Sequence, residues 1–313
     1  MTAHPSHLYP LTRWLLGRRR SSAQGFTLTE LLVSLVIGTL IMGSLLYLVV
    51  ELLGINAREE RLTQVQQDTR RALDYISQEI QEAVFIYADP TVATTQITDD
   101  TTLGTPIIAF WKLQDLESRL GALPADCNTG FAVQADKDLC SVLKTRRSAY
   151  HLVVYFVQAN EGTMWAGPNR IIRYELPAYD NLATLALTTG YRDPTLPGSS
   201  FATWTRNGNT TDGYSAVLTD SIDDHVAALA GAACPRVGMT QFPAASNNFF
   251  TCINNDATGA DDNKTLYLFL RGSIAPNDGS TSVTVGPVSQ GSRLPTLRTE
   301  VQIRGVLERT STN

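Results

Sequence analysis

Residues 18–51 read RRRSSAQGFTLTELLVSLVIGTLIMGSLLYLVVE. Three arginines, Arg18 to Arg20, open the stretch, and a polar spacer leads to Gly25 and Phe26. From Phe26 to Val50 every residue is apolar, small or hydroxylic except Glu30, and the next charge is Glu51. As a helix this run rises about 37 Å, enough to cross a hydrocarbon core of about 30 Å. A secretory signal peptide carries a shorter apolar core followed by a small-residue cut. This run is longer, contains a carboxylate and is followed by no small-x-small site. An ionisable side chain inside such a run is costly, so Glu30 is a functional residue in want of a partner. An ordinary membrane anchor explains neither that glutamate nor Gly25-Phe26 ahead of it.

The order of these features (a basic leader, then Gly25-Phe26-Thr27-Leu28-Thr29-Glu30, then an apolar run) resembles the processing site of type IV pilins and pseudopilins. The resemblance covers about the first 50 residues. It implies that a membrane-embedded prepilin peptidase cuts after Gly25 and methylates the new N-terminal residue, Phe26. It also assigns an assembly role to Glu30. The cut would expose an α-amine that becomes buried in a filament core, and a buried cation needs a counter-charge. Glu30 of a neighbouring subunit would supply it and favour one docking register. The implied partners are the peptidase, other pilins or pseudopilins, the inner-membrane assembly platform and membrane lipid. A looser similarity, from Asp68-Thr69-Arg70-Arg71-Ala72-Leu73-Asp74-Tyr75-Ile76 through Ala83, is to PilW-like and GspJ-like minor subunits. A large outer domain with long insertions would crowd a dense filament, which favours a low-copy position. Glu30 argues against the tip-most pseudopilin type, which usually lacks it. The resemblance does not choose between a motility pilus, a type II secretion pseudopilus and a polysaccharide-secretion system.

Charge orients the chain. Residues 1–25 hold four of the 25 basic residues and no acid, so the rest carries 21 basic against 30 acidic groups, a net charge of −9. Arg13 and the arginine triplet place the N-terminus in the cytoplasm by the positive-inside rule, and the part after residue 50 on the other side of the membrane, which the resemblance implies is the periplasm. An excess of acid argues against a nucleic-acid partner, since phosphate neutralisation needs clustered Lys and Arg; Arg146-Arg147 is too small a patch. With 43% apolar and 18% charged residues the chain reads as folded, not disordered.

Beyond the apolar run the period changes. Leu62, Val65, Thr69, Ala72, Ile76, Ile80 and Ala83 recur at spacings of three and four. Charged residues, among them Arg58, Asp68, Arg71 and Glu79, fill the other faces. This predicts an amphipathic helix over 51–88 that packs on a sheet, ended by Asp89-Pro90. No proline interrupts residues 26–88, so one long helix is expected, and a helix of that kind is also what the family builds. Strands are predicted at 107–113, 150–158, 170–176, 266–270 and 298–307, the second and third joined as a hairpin by Gly167-Pro168-Asn169. Residues 91–106, 177–215 and 254–264 read as loops. The expected fold is therefore α+β: a long N-terminal helix packed on an antiparallel sheet of four to six strands, pilin-like. Its parts are a basic leader (1–25), a membrane or filament-core helix (26–50), its amphipathic continuation (51–88) and a periplasmic domain (89–313).

The four cysteines, Cys127, Cys140, Cys234 and Cys252, form no C-x-x-C and all follow the membrane run, where disulfides are allowed. Local pairing, Cys127–Cys140 and Cys234–Cys252, is favoured among the three connectivities, over a zinc site whose ligand spacing they do not match. No cofactor is expected. Acidic clusters at Asp99-Asp100, Asp223-Asp224 and 254–263 raise the question of calcium, but the last does not match an EF-hand. His4 and His7 read as solvated tail, His151 as a packed or surface strand residue, and His225 follows two aspartates. No G-x-S-x-G, H-E-x-x-H or phosphate loop is present, so no catalytic residue is assigned and the chain is expected not to be an enzyme. The rival is an uncleaved, membrane-anchored periplasmic binding or enzymatic domain.

Overall fold

A computed structural model describes residues 25–98, 103–116, 121–161, 164–224, 234–246, 248–254, 265–274 and 294–303. The leader up to residue 24, Asp99-Asp100, His225, residues 255–264 and the predicted strand beyond residue 303 lie outside the described residues. The chain divides into two units, Met1–Ala57 and Arg58–Asn313.

Helix α1, Leu28–Gln81, supplies the described helical part of the first unit and the opening element of the second. Up to residue 60 its side chains are exposed; from Val65 a buried face forms, comprising Val65, Thr69, Ala72, Leu73, Ile76, Ser77, Glu79 and Ile80. The expected apolar stripe is thus the packed face. Two corrections follow. The helix ends at Gln81, not 88, because Ala83–Ile86 (AVFI) forms strand β1. β-branched and aromatic side chains at 84–86 favour a pleated edge. Ala83 and Ile86 turn into the core while the backbone pairs with β2. The second correction is Glu79: it lies on the buried face, not an outer one, and is 5% exposed.

Among the described residues the second unit carries two main antiparallel sheets where one was expected. In the first, β1 pairs with β2 (Thr105–Asp115), then β3 (Ser148–Ala159), β4 (Asn169–Leu176) and β7 (Tyr214–Ile222). In the second the order is β11 (Leu297–Gln302), β10 (Thr265–Leu270), β9 (Phe249–Asn254) and β8 (Met239–Phe242). A bridge between Ile222 and Gly272 links them. Ile76 and Ile80 of α1 share one core with Phe110, Val153 and Tyr155 of the first sheet and Phe249, Leu266 and Leu268 of the second. The opposite face of the first sheet is also covered, with Trp111, Leu152, Val154 and Phe156 in a second core. Burial on both faces explains why β3 is continuously apolar where a half-solvated strand would alternate.

Residues 177–215 do not form the surface loop that their polar composition suggests. They make a small hairpin, β5 (Tyr179–Asn181) with β6 (Ala186–Leu187), and plug the second core with Leu182, Tyr191 and Trp204. Trp204 meets Trp111 edge-on with ring centroids 5.4 Å apart, and its indole N–H donates to the Arg192 carbonyl at 2.8 Å. Residues 91–106 contain a short helix, α2 (Thr91–Thr94). Two further helices, α3 (Cys127–Gly130) and α4 (Gln134–Arg146), precede β3.

Candidate functional site

The site begins where α1 begins. Thr27 is the residue before the first helical position. Its carbonyl accepts from the Glu30 and Leu31 amides at 3.1 and 3.2 Å, and its Oγ1 accepts from the Glu30 amide at 3.3 Å. Thr27-x-x-Glu30 is thus a capping-box pattern, with apolar residues at Phe26 and Leu31 in the staple positions. Sequence reasoning missed this second meaning of the motif, although the spacing was there to find. The cap sets Gly25 and Phe26 outside the helix and Glu30 inside its first turn.

The apolar run that follows has no cover within the chain. Phe26 is 78% exposed, and Leu31, Leu40 and Leu46 are all exposed. Its hydroxyls are nevertheless satisfied internally: Ser34, Thr39 and Ser44 donate to the carbonyls of Leu31, Val36 and Ile41 at 3.0, 2.8 and 2.8 Å. Such a surface, apolar outward with polar atoms turned back on the backbone, suits lipid or packed helices. By length and composition this helix can cross a membrane. Glu30 is the exception, because its carboxylate is exposed and has no partner among the described residues.

A second polar cluster contrasts with it. The Glu79 carboxylate accepts from Lys112 Nζ at 2.7 Å, from Arg173 Nη2 at 2.5 Å and Nε at 3.0 Å, and from the Tyr155 hydroxyl. Arg173 Nη1 also donates to Glu175 Oε2 at 2.6 Å, and His151 Nδ1 donates to Glu175 Oε1 at 2.7 Å. Burial alone would raise the Glu79 carboxyl, but Arg173, Lys112 and Tyr155 outweigh it and hold it below its ordinary range. Burial opposes the same effect at Glu175, where His151 and Arg173 bring the carboxyl down to about 2. Burial raises the Tyr155 hydroxyl and the adjacent Glu79 raises it further. Every acid here is matched by a base or donor, so the cluster fastens helix to sheet. His151 is therefore a packed residue, 2% exposed.

The other sequence candidates fall elsewhere. Cys127 is bonded to Cys140, and Cys234 to Cys252. Asp223 is buried against Arg271, whose Nε donates to its Oδ2 at 2.6 Å. Among the described residues no group of three or more His, Cys, Asp or Glu is placed to hold a metal ion.

Residues 20–46 match the family model described as Prokaryotic N-terminal methylation motif. The match spans the arginine at its start, Gly25-Phe26, Glu30 and most of the apolar run. No curated protein and no solved structure matches the chain.

Proposed function

We propose that this chain is a prepilin-processed minor pilin or pseudopilin, a structural subunit of a type IV pilus or type II secretion-like filament. The observation that carries it is the methylation motif at residues 20–46 lying at the capped start of an uncovered apolar helix. Prepilin peptidase cuts after Gly25 and methylates Phe26. The helix from Leu28 holds the subunit in the inner membrane and later packs among its like in the filament core. Glu30 pairs with the N-terminal amine of a neighbouring subunit, and the domain after residue 57 faces the periplasm and then the filament exterior. Its role is structural, not catalytic: the buried titratable cluster around Glu79 is consumed by internal pairing. Its size, with nine strands in two sheets besides the plug among the described residues, suits a low-copy position of the PilW-like or GspJ-like kind.

The test is the mass of the N-terminal peptide from the membrane fraction. A peptide beginning at Phe26 and heavier by one methyl group is expected. An intact Met1, or a cut after the apolar run, overturns the proposal. Separately, Glu30→Ala is expected to be processed but to assemble poorly; assembly equal to wild type removes the pairing role.

A further inference from the structure

An open groove of about 480 Å³ lies on the second unit, between α4 and the residues around 178–207. That is within the range of small-ligand sites, roughly 300–1,000 Å³. Three guanidiniums line it: Arg146 at the end of α4, and Arg192 and Arg206 on the plug segment. None is ion-paired among the described residues. Arg146 stacks over the Tyr150 ring at 4.7 Å, Arg192 donates to the Gly198 carbonyl at 3.3 Å and Arg206 to the Gln96 carbonyl at 2.9 Å. Among the described residues one acid, Asp193, shares the lining, and its Oδ1 is taken up by the Thr195 amide and hydroxyl at 2.8 and 2.7 Å. The groove is therefore net positive on a chain whose residues after 25 carry a net charge of −9.

The wall between the arginines is aliphatic. Val142, Leu187 and Leu196 stand about half exposed in it. Tyr179 and Tyr191 also line it but are 7% and 3% exposed, so no open aromatic face is offered. Nucleobases need such a face to stack on. Aliphatic side chains flanked by guanidiniums fit a ligand that carries carboxylates beside an apolar side chain, with the forked geometry arginine presents to carboxylate.

The walls are also held in place before any ligand arrives. Helix α4 is tied by the Cys127–Cys140 disulfide. Lys144 donates to the carbonyls of Pro124 and, at 2.9 Å, Ala125. The Tyr191 hydroxyl donates to the Tyr150 carbonyl at 2.8 Å, and Trp204 fastens the Arg192 backbone. Gly190, with φ +81°, allows the Thr210 carbonyl to within 2.4 Å of where a Cβ would sit. A preorganised site spends less of its interaction energy on ordering itself.

We propose that this groove binds an acidic polypeptide segment, with Arg146, Arg192 and Arg206 taking its carboxylates and Val142, Leu187 and Leu196 its aliphatic side chain. The full-length protein, in nanodiscs of zwitterionic lipid, is titrated into a fluorescein-labelled hexapeptide alternating aspartate and leucine. Saturable binding is expected, weakening as salt rises toward about 0.3 M. Arg146→Glu is expected to weaken it roughly tenfold or more, the loss of a charge-assisted contact and its replacement by repulsion. Leu196→Ser, on the exposed wall, is expected to weaken it without salt dependence of the loss. Both positions are exposed, so unchanged melting establishes that the variants are folded. The proposal is overturned by absence of saturable binding, by equal affinity for the lysine–leucine hexapeptide, by indifference to Arg146→Glu, or by preference for an alginate trimer or an oligothymidylate.

Discussion

Glu79→Ala removes the carboxylate on which helix and sheet converge. Glu79 is 5% exposed, and its partners Lys112 and Arg173 have side chains only 12% and 16% exposed. Deleting one member of a buried ion pair costs about 3–5 kcal/mol, because the surviving charge stays buried without compensation. Here the lower end applies. Arg173 keeps Glu175 at 2.6 Å, and Lys112 keeps the exposed Glu82 at 3.8 Å. A loss of about 3 kcal/mol lowers the melting midpoint of a domain this size by roughly 6–12 °C. The measurement is a tryptophan-fluorescence melt of the full-length protein in neutral detergent. Glu79→Gln keeps the volume and one acceptor and should fall between wild type and alanine. In a double-mutant cycle with Arg173→Ala, the two losses should fail to add, with coupling of about 1–3 kcal/mol. A midpoint shift under about 2 °C for Glu79→Ala, or additive losses in the cycle, refutes the assignment of this cluster as the fastening of α1.

The same cluster sets an acid limit. Glu175 titrates at about 2 when folded against an ordinary 4.5, so its contribution is complete above pH 4.5 and disappears as pH falls toward 2; Glu79 is depressed in the same sense. The melting midpoint should therefore drop through that window, and Glu175→Gln should flatten the drop. The Cys127–Cys140 disulfide closes a separation of 13 residues, for which chain entropy gives about 3 kcal/mol. The Cys127→Ala/Cys140→Ala pair should lose about that much stability in a denaturant titration, and an unchanged midpoint would show α4 to be held by other contacts.

What the sequence made legible was whatever local periodicity encodes. The uninterrupted apolar run, the stripe from Val65 to Ile80 and the dense strands β3 and β4 all announce themselves within a dozen residues. The elements that stayed hidden are those whose burial is decided at long range. β7 is an edge strand, exposed over its first three residues, so its composition is mixed. α4 buries only Cys140 and Leu143, too few to print a helical stripe. Trp204 sits in a polar segment and becomes core only because Trp111, 93 positions earlier, lies beneath it. Glu79 had a signal that was passed over: it falls three residues after Ile76 and four before Ala83, on the stripe itself. A charge on a buried stripe demands partners, and these lie 33, 76 and 94 positions away, where no local pattern could supply them. Arg146 likewise looks isolated until folding brings Arg192 and Arg206 to the same groove.

Helix α1 treats its two most constrained carboxylates in opposite ways, and the magnitudes say why. Glu79 has three side-chain partners from the sheet, and folding completes it. Glu30 lies in the first turn, where the helix dipole stabilises an anion by about 0.3–1 kcal/mol. Taking a carboxylate out of water costs several kcal/mol even after relaxation. The dipole and the Thr27 cap therefore cannot by themselves hold Glu30 in an apolar surrounding. The nearest hydroxyls, Thr27 and Thr29, bond each other at 3.1 Å, and Ser34 is turned to the Leu31 carbonyl. Among the described residues no side chain pairs with the carboxylate to offset that cost. Under the proposed function, the counter-charge is the amine that a cut after Gly25 exposes on a neighbouring copy of the chain. On that proposal the methylation motif and the lone glutamate are two halves of one interaction, completed between copies of the chain.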